Sequence, residues 1–503
     1  MSHSIFSLAR LLPALLLFTT ASLDAQKATF SGIESTYFNK SGVLRSDGAI
    51  SGYYIVNYHK SEEGDGNYAI QLLDQDLNKV GEKRFDKDPD VRIGAVAYNG
   101  ELLGVEMVNH EAGRKWVELY DGKGEYVHRR TMKYSPLDAP EVAAGTALFE
   151  IQQLVAVPGG FMHFNFSTDS KAATGRSYYR VTFIPNSPEE KGWSTRSSSK
   201  TKDYEGAVYL TSDDELVVFG VFKRKSLLSQ KFTMEIRAFN IQTGRVAFKY
   251  SPDQKADQTR FIKGRIIGDD IVVVGSGVGK SNKVFTDNPE TIDVLKFSRA
   301  GKLLEKRNLS LQDDLANFLE VKNNGKVKGL GNLMLQDIGV NENQEIVIAG
   351  EFFRTFNADV KVEEGMLIQL TPGLEVSDVV IIDKGKTGSL GWSLLSGGIA
   401  LAKSSTLGIF AKLEGKFDFA YLDDGRELIT TAFFSGRSEV RETKRMSLYV
   451  NTLLDGELVQ EKVEFAAGTD RVTVLPAKEG YIAVIEYDGD TRSLDVHMER
   501  LSL

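Results

Sequence analysis

The sequence predicts an all-β chain folded as a single β-propeller. It would have eight four-stranded antiparallel blades, with seven as the alternative, and be closed by its N-terminal strand. Three observations lead there. A β-rich run after a polar turn recurs eight times along the chain. A second pair of alternating strands follows most of these runs. The last unit ends one strand short, while the N-terminus offers a spare strand.

The first 25 residues read as a signal peptide. Arg10 precedes the apolar run LLPALLLF, and small residues follow up to Ala25. A positive start, a short apolar stretch and a small-residue exit are what secretion requires, and the stretch is short for a bilayer span. No later stretch approaches transmembrane length, so the expectation is a periplasmic or secreted protein with no membrane span after cleavage. Cysteine is absent from all 503 residues. That excludes disulfides, a thiol nucleophile and Cys-ligated metals, and a chain this long can bury a core without them. The net charge of −8 argues against nucleic acid, whose phosphates demand a Lys/Arg excess.

Residues 26–503 then form the propeller domain. The recurring runs begin near Gly52, Glu101, Gly160, Glu215, Ile271, Glu345, Glu427 and Gly480. They read GYYIVNY, ELLGVEM, GFMHFNF, ELVVFGVF, IVVVGSG, EIVIAGEFF, ELITTAFF and GYIAVIEY. A repeat of roughly 50 to 80 residues over a whole chain is the mark of a repeat architecture. After each hairpin comes an alternating strand, a turn and one more strand, as in WVELYDGKGEYVHRR from Trp116 or EIRAFNIQTGRVAFKY from Glu235. Gly122, Gly244, Gly301 and Gly456 stand where such a turn needs positive φ. In the third unit the turn IPNSPEEKGW carries two prolines, so its fourth strand must be short or irregular.

Two long spacings hide insertions, near 309–329 and 385–413. In the first, Ser310 to Asp313 looks like a capping box opening a short helix, DLANFLEV, that ends at Asn323-Asn324-Gly325. The second, Ser389 to Ser405, is apolar and broken by Gly397-Gly398. The eighth unit supplies strands near Arg471–Leu475, Tyr481–Glu486 and Leu494–Leu503. The stretch from Lys27 to Phe38 is the expected fourth, since an open ring would expose strand edges.

Chemistry is harder to find. VVVGSGVGKS, from Val272 to Ser281, imitates a phosphate-binding loop, but Val274 stands where the first glycine belongs and no helix follows. The histidines are isolated, so no metal site is expected, and no cofactor. Acidic stretches such as Asp488 to Asp490 read as turns rather than calcium loops. Polar residues on expected innermost strands remain as channel-lining candidates: Arg92, Glu205, Lys263, Arg265, Asp337 and Asp418. Paired carboxylates there could cleave glycosidic bonds, whereas plain solvation of a wet channel asks less of them.

One unit, AFNIQTGRVAFKYS from Ala238, resembles a quinoprotein-type propeller blade through Thr243 and Gly244, with Asn240 replacing an Asp and Phe248 the docking Trp. The other units lack the pattern, and three Trp cannot build that family's girdle, so its cofactor does not carry over. The whole chain resembles uncharacterised secreted bacterial propeller proteins, with hairpins of the kind GYYIVNY…YAIQLLDQDLNKV. The resemblance implies fold and export. The expected role is a non-enzymatic binding or scaffold protein at the cell envelope, with a protein or glycan ligand. The alternatives are a carbohydrate-active enzyme using channel carboxylates, and a structural subunit of an envelope complex.

Overall fold

A computed structural model describes residues 27–46, 49–60, 66–85, 90–134, 154–168, 177–197, 204–224, 232–252, 259–278, 289–341, 344–356, 359–383, 419–423, 430–437, 446–454, 457–464, 471–478 and 480–501. The signal segment, the second insertion from Ser389 to Ser405 and Asp418 lie outside these residues.

The described residues form eight antiparallel sheets, seven of four strands and one of five. We number them 1 to 8 by chain position. Their second strands are Ala49–Lys60, Leu103–Asn109, Gly160–Thr168, Leu216–Arg224, Asp270–Val278, Ile346–Phe356, Thr430–Arg437 and Tyr481–Asp488. Each of the eight recurring runs thus supplies one second strand. In sheets 2 to 7 the four strands pair in chain order, as successive hairpins do. The proline-bearing turn of sheet 3 leaves a fourth strand of three residues, Ser194–Arg196.

The chain ends depart from the simplest expectation. Lys27 to Phe38 is not one strand. Lys27–Ser31 pairs with Ser493–Arg500 and is the fourth strand of sheet 8. Gly32, at φ +72°, then turns the chain, and Ile33–Thr36 joins sheet 1 against residues 57–59. Gly42–Ser46 continues that edge after a short 3-10 turn, Phe38–Lys40, which gives sheet 1 its fifth strand. A residue without Cβ suits this switch, because the left-handed region is costly for other side chains.

The core lies between sheets rather than within one. Phe222, Ile236, Phe261, Val273 and Phe297 pack sheet 4 on sheet 5. Tyr53, Ile55, Ile485, Leu494 and Val496 do the same for sheets 1 and 8, so the two ends of the chain share one apolar layer. The period-2 alternation of each strand accounts for this, since both faces of an inner strand meet a neighbouring sheet.

First strands of successive sheets lie side by side: Val91–Tyr98 beside Leu154–Val157, Tyr204–Ser212 beside Thr259–Ile267, and Asn332–Val340 beside Phe419–Asp423. Arg471–Pro476 of sheet 8 touches Gly42–Ser46 of sheet 1.

The turns between third and fourth strands repeat one design. Gly244 and Gly301 take positive φ there, and so do Gly124, Leu77 and Leu374. In the Asp121–Glu125 turn the left-handed residue is therefore Gly124 and not the expected Gly122; Gly456 lies outside the described residues. Asp121 Oδ1 accepts the N–H groups of Lys123 and Glu125, which fixes the turn one residue pair later than the sequence pattern suggests.

The first insertion is not a helix. Ser310 Oγ accepts the Asp313 N–H at 3.1 Å and donates to its carboxylate at 2.9 Å, so the capping contact forms. The chain then runs through turns, and Lys322–Lys326 closes a tight hairpin with Gly325 at φ +75°. Leu311, Leu315 and Leu319 are drawn into the layer between sheets 5 and 6, and that burial outweighs a helix too short to sustain itself.

Candidate functional site

The five described channel candidates all lie on first strands. Arg92 is on Val91–Tyr98 and exposed, and Glu205 is on Tyr204–Ser212 and buried. Lys263 and Arg265 share Thr259–Ile267, and Asp337 is on Asn332–Val340. One pair meets: Lys263 Nζ stands 3.7 Å from Asp337 Oδ1, across neighbouring sheets. Asp337 Oδ1 also accepts the Ile338 N–H at 2.9 Å. Glu205 Oε1 stands 3.9 Å from Lys223 Nζ of its own sheet. The two described candidate carboxylates, Glu205 and Asp337, thus each stand near a lysine. The Lys263–Asp337 contact neutralises charge between strands of neighbouring sheets.

A cavity that the polar residues did not signal opens where strands of five sheets meet. It holds about 370 Å³ and is walled by Val43, Tyr54, Val96, Tyr98, Val155, Tyr209 and Leu475. These residues come from sheets 1, 2, 3, 4 and 8. Each sits in a strand whose alternation reads as ordinary core, so only the meeting of distant repeats marks them. Its three phenols are tied to the scaffold. Tyr98 Oη donates to the Gly100 carbonyl at 2.9 Å, Tyr209 Oη bonds Ser212 Oγ at 2.8 Å, and Tyr54 Oη reaches the Val96 carbonyl at 3.5 Å. Burial raises the pKa of all three above the ordinary tyrosine value; Glu101 adds to this at Tyr98, while Ser212 and Arg265 oppose it at Tyr209. They stay protonated, and present ring faces and hydroxyls rather than bases.

Other motifs resolve into structure. VVVGSGVGKS runs as a strand through Val278, and Gly279 to Ser281 lie outside the described residues. A Cβ on Gly277 would lie 2.0 Å from Thr291 Oγ1, so close packing explains that glycine without a phosphate. Asp488 Oδ1 accepts the N–H groups of Asp490 and Thr491, an Asx turn. Among the described residues no three His, Asp or Glu side chains gather as metal ligands, and no helix is long and apolar enough to cross a membrane.

The quinoprotein-like turn behaves as its residues suggest. Asn240 Oδ1 accepts both the N–H and the hydroxyl of Thr243, so the amide does the work of the replaced Asp. Trp193 of sheet 3 packs against Gly244, and Phe248 of sheet 4 packs against Gly301 of sheet 5. A ring from one sheet thus docks on the turn glycine of the next.

One buried ionic cluster escaped the sequence altogether. Glu106 and Lys115 of sheet 2 and His163 of sheet 3 are each at most 1% exposed. Lys115 Nζ lies 2.6 Å and His163 Nε2 3.4 Å from Glu106 Oε1. Burial alone would raise the Glu106 pKa, but the Lys115 ammonium and His163 override it and hold the carboxyl at about 2. The cluster is buried between two sheets and joins sheet 2 to sheet 3 through Glu106 and His163.

Solved structures similar to this chain are distant. Prolyl oligopeptidase B from Galerina marginata shares 8% identity over 92% of this chain and 56% of its own, at a TM-score of 0.45. This chain therefore spans about half the length of that peptidase. The β-propeller domain of the trilobed protease from Pyrococcus furiosus shares 8% identity over 94% of this chain and 97% of its own, at 0.36. An ulvan lyase of the PL25 polysaccharide lyase family shares 11% over 94% and 96%, at 0.37. Likenesses this remote say nothing of activity, and the propeller-like fold rests on the sheet topology itself. No curated protein matches the chain. The model of a family of unknown function, DUF6770, matches residues 8–502, and the chain belongs to that family.

Proposed function

We propose that the eight sheets are the blades of one ring, joined through Lys27–Ser31, and that the exported protein is a non-enzymatic binding or scaffold protein at the cell envelope. Export is supported by the N-terminal segment of the sequence, and the ring by the contact of sheet 8 with sheet 1. The observation that carries the binding role is the cavity of about 370 Å³ walled by apolar and tyrosine side chains from five sheets. Such a concave, mostly apolar site with a few fixed hydroxyls suits a ligand that offers an apolar face and some polar edges, as a sugar ring or a peptide side chain does. The bonded, protonated phenols and the Lys263–Asp337 pair favour holding a ligand over transforming one.

The test is a glycan-array screen and an envelope-extract pull-down with the mature chain, beside a Tyr98→Ala, Tyr209→Ala double variant. A ligand retained by the native chain and lost by the variant is the expected result. Ligand capture that the variant leaves unchanged, or cleavage of an array glycan, would overturn the proposal.

A further inference from the structure

A second cavity, of about 240 Å³, lies between the first insertion and the edge of sheet 6. Its charged lining residues are Lys322, Lys326 and Arg354, and all three are cations. Lys322 and Lys326 stand at the two ends of the tight hairpin, joined by the bond from the Lys322 N–H to the Lys326 carbonyl at 2.8 Å. That hairpin sets both side chains at one rim. Arg354 comes from the second strand of sheet 6 and keeps Glu363 at 3.2 Å, so one of the three charges is partly answered. The nearby Lys328 is paired with Glu320 at 2.8 Å. The two hairpin lysines leave a positive excess at the cavity mouth.

The floor adds a second, independent mark. Asn332 lines the cavity, is 6% exposed, and its Oδ1 is buried with no hydrogen-bond partner. A buried amide atom without a partner costs free energy, about 1–3 kcal/mol, unless something in the cavity answers it. As it stands that atom is an acceptor; a half-turn of the last bond exchanges the oxygen and nitrogen of the amide, and an oxyanion requires the turned orientation with the N–H facing the cavity. By themselves the three cations favour the oxygen, and a bound anion would reverse that preference and select the N–H. Next to it the backbone is built for close approach. Gly329 and Gly331 hold φ of +82° and +102°, and a Cβ on Gly331 would lie 2.3 Å from the Phe353 carbonyl oxygen.

We infer that this cavity is a binding site for an oxyanion group, phosphate, sulfate or carboxylate, carried by a small ligand. Lys322 and Lys326 supply charge-assisted bonds, Arg354 a planar donor fork, and Asn332 the buried amide N–H. The site lies apart from the tyrosine-walled cavity and does not depend on its role.

The mature protein is titrated calorimetrically with inorganic phosphate and with glucose 6-phosphate, each against potassium chloride at equal ionic strength. The Lys322→Ala, Lys326→Ala variant and a Lys123→Ala, Lys302→Ala control are run in parallel. Saturable binding of either probe that weakens about tenfold or more in the hairpin variant, and not in the control, is expected. Tighter binding of the sugar phosphate would assign the group to a sugar-borne ligand, and equal binding to the free ion. An Asn332→Asp variant, which sets a carboxylate on the floor, should lose both. No saturable binding of either probe, or binding kept in the hairpin variant, would overturn the site.

Discussion

Glu106, Glu82 and Glu235 are each held by neighbouring cations, and those contacts bear on the response of the protein to acid. Glu106 is held at about 2, as are Glu82 and Glu235, each against burial and by neighbouring cations. A carboxyl whose folded pKa lies below its unfolded value stabilises the fold above the unfolded pKa. That contribution is lost as pH falls through the folded one. Stability should therefore hold down to the ordinary Glu value of 4.5 and fall steeply from there toward about 2, as melting curves across that range would record. Glu106→Gln removes the counter-charge of a Lys115 that is 1% exposed, at a cost of about 3–5 kcal/mol in urea unfolding. Adding Lys115→Met should restore most of it, because the desolvation of both charges then disappears. No sequence pattern marks this triad. Glu106 and His163 stand in alternating strands one repeat apart, and only sheet 2 meeting sheet 3 makes them partners. Tyr54, Tyr98 and Tyr209 were hidden in the same way. Lys263 and Asp337 were legible as inner-strand polar residues, but their pairing was not.

At the scale of elements, the strands were legible because their period of two is strong and local. The turns were legible in kind but not always in position. Leu77 and Leu374 occupy the left-handed site that glycine fills elsewhere, and both are buried between sheets. Packing offsets the backbone strain there, which propensity alone does not foresee. Where glycine is kept, a neighbour needs the space. Gly301 has φ +80°, and a Cβ would lie 2.2 Å from Phe248. Gly301→Ala combines strain with collision and should destabilise by about 2–3 kcal/mol. The first insertion misled for a related reason. Its capping residues are real, but its leucines serve the layer between sheets 5 and 6 rather than a helix. Leu315→Ala, at a fully buried position, should cost about 2–5 kcal/mol in chemical unfolding. If the segment were a loose surface loop, the loss would stay below about 0.5 kcal/mol.

At the scale of the molecule, eight repeats leave one strand missing at the end and one spare at the start. Lys27–Ser31 fills the vacancy beside Ser493–Arg500, and Lys27 Nζ pairs with Asp495 at 3.0 Å. That surface ion pair contributes little, about 0–1 kcal/mol, so the strand holds by its backbone ladder and by Ala28 and Phe30, which pack on the layer containing Leu494 and Val496. In the proposed ring this strand ties the last blade to the first, and its sequence separation from Ser493–Arg500 makes it the longest-range contact of the fold. Starting the chain at Gly32 leaves every other described sheet its full sequence. It strips one edge of sheet 8, whose unpaired N–H and C=O groups then face solvent and other chains. The truncated protein should keep its far-ultraviolet circular dichroism, melt many degrees lower, and self-associate on gel filtration. A synthetic peptide spanning residues 27–36 should recover part of the lost melting temperature by adding back the strand. A truncated chain that melts like the full one would show that sheet 8 is held without it, and the ring closure would have to be abandoned.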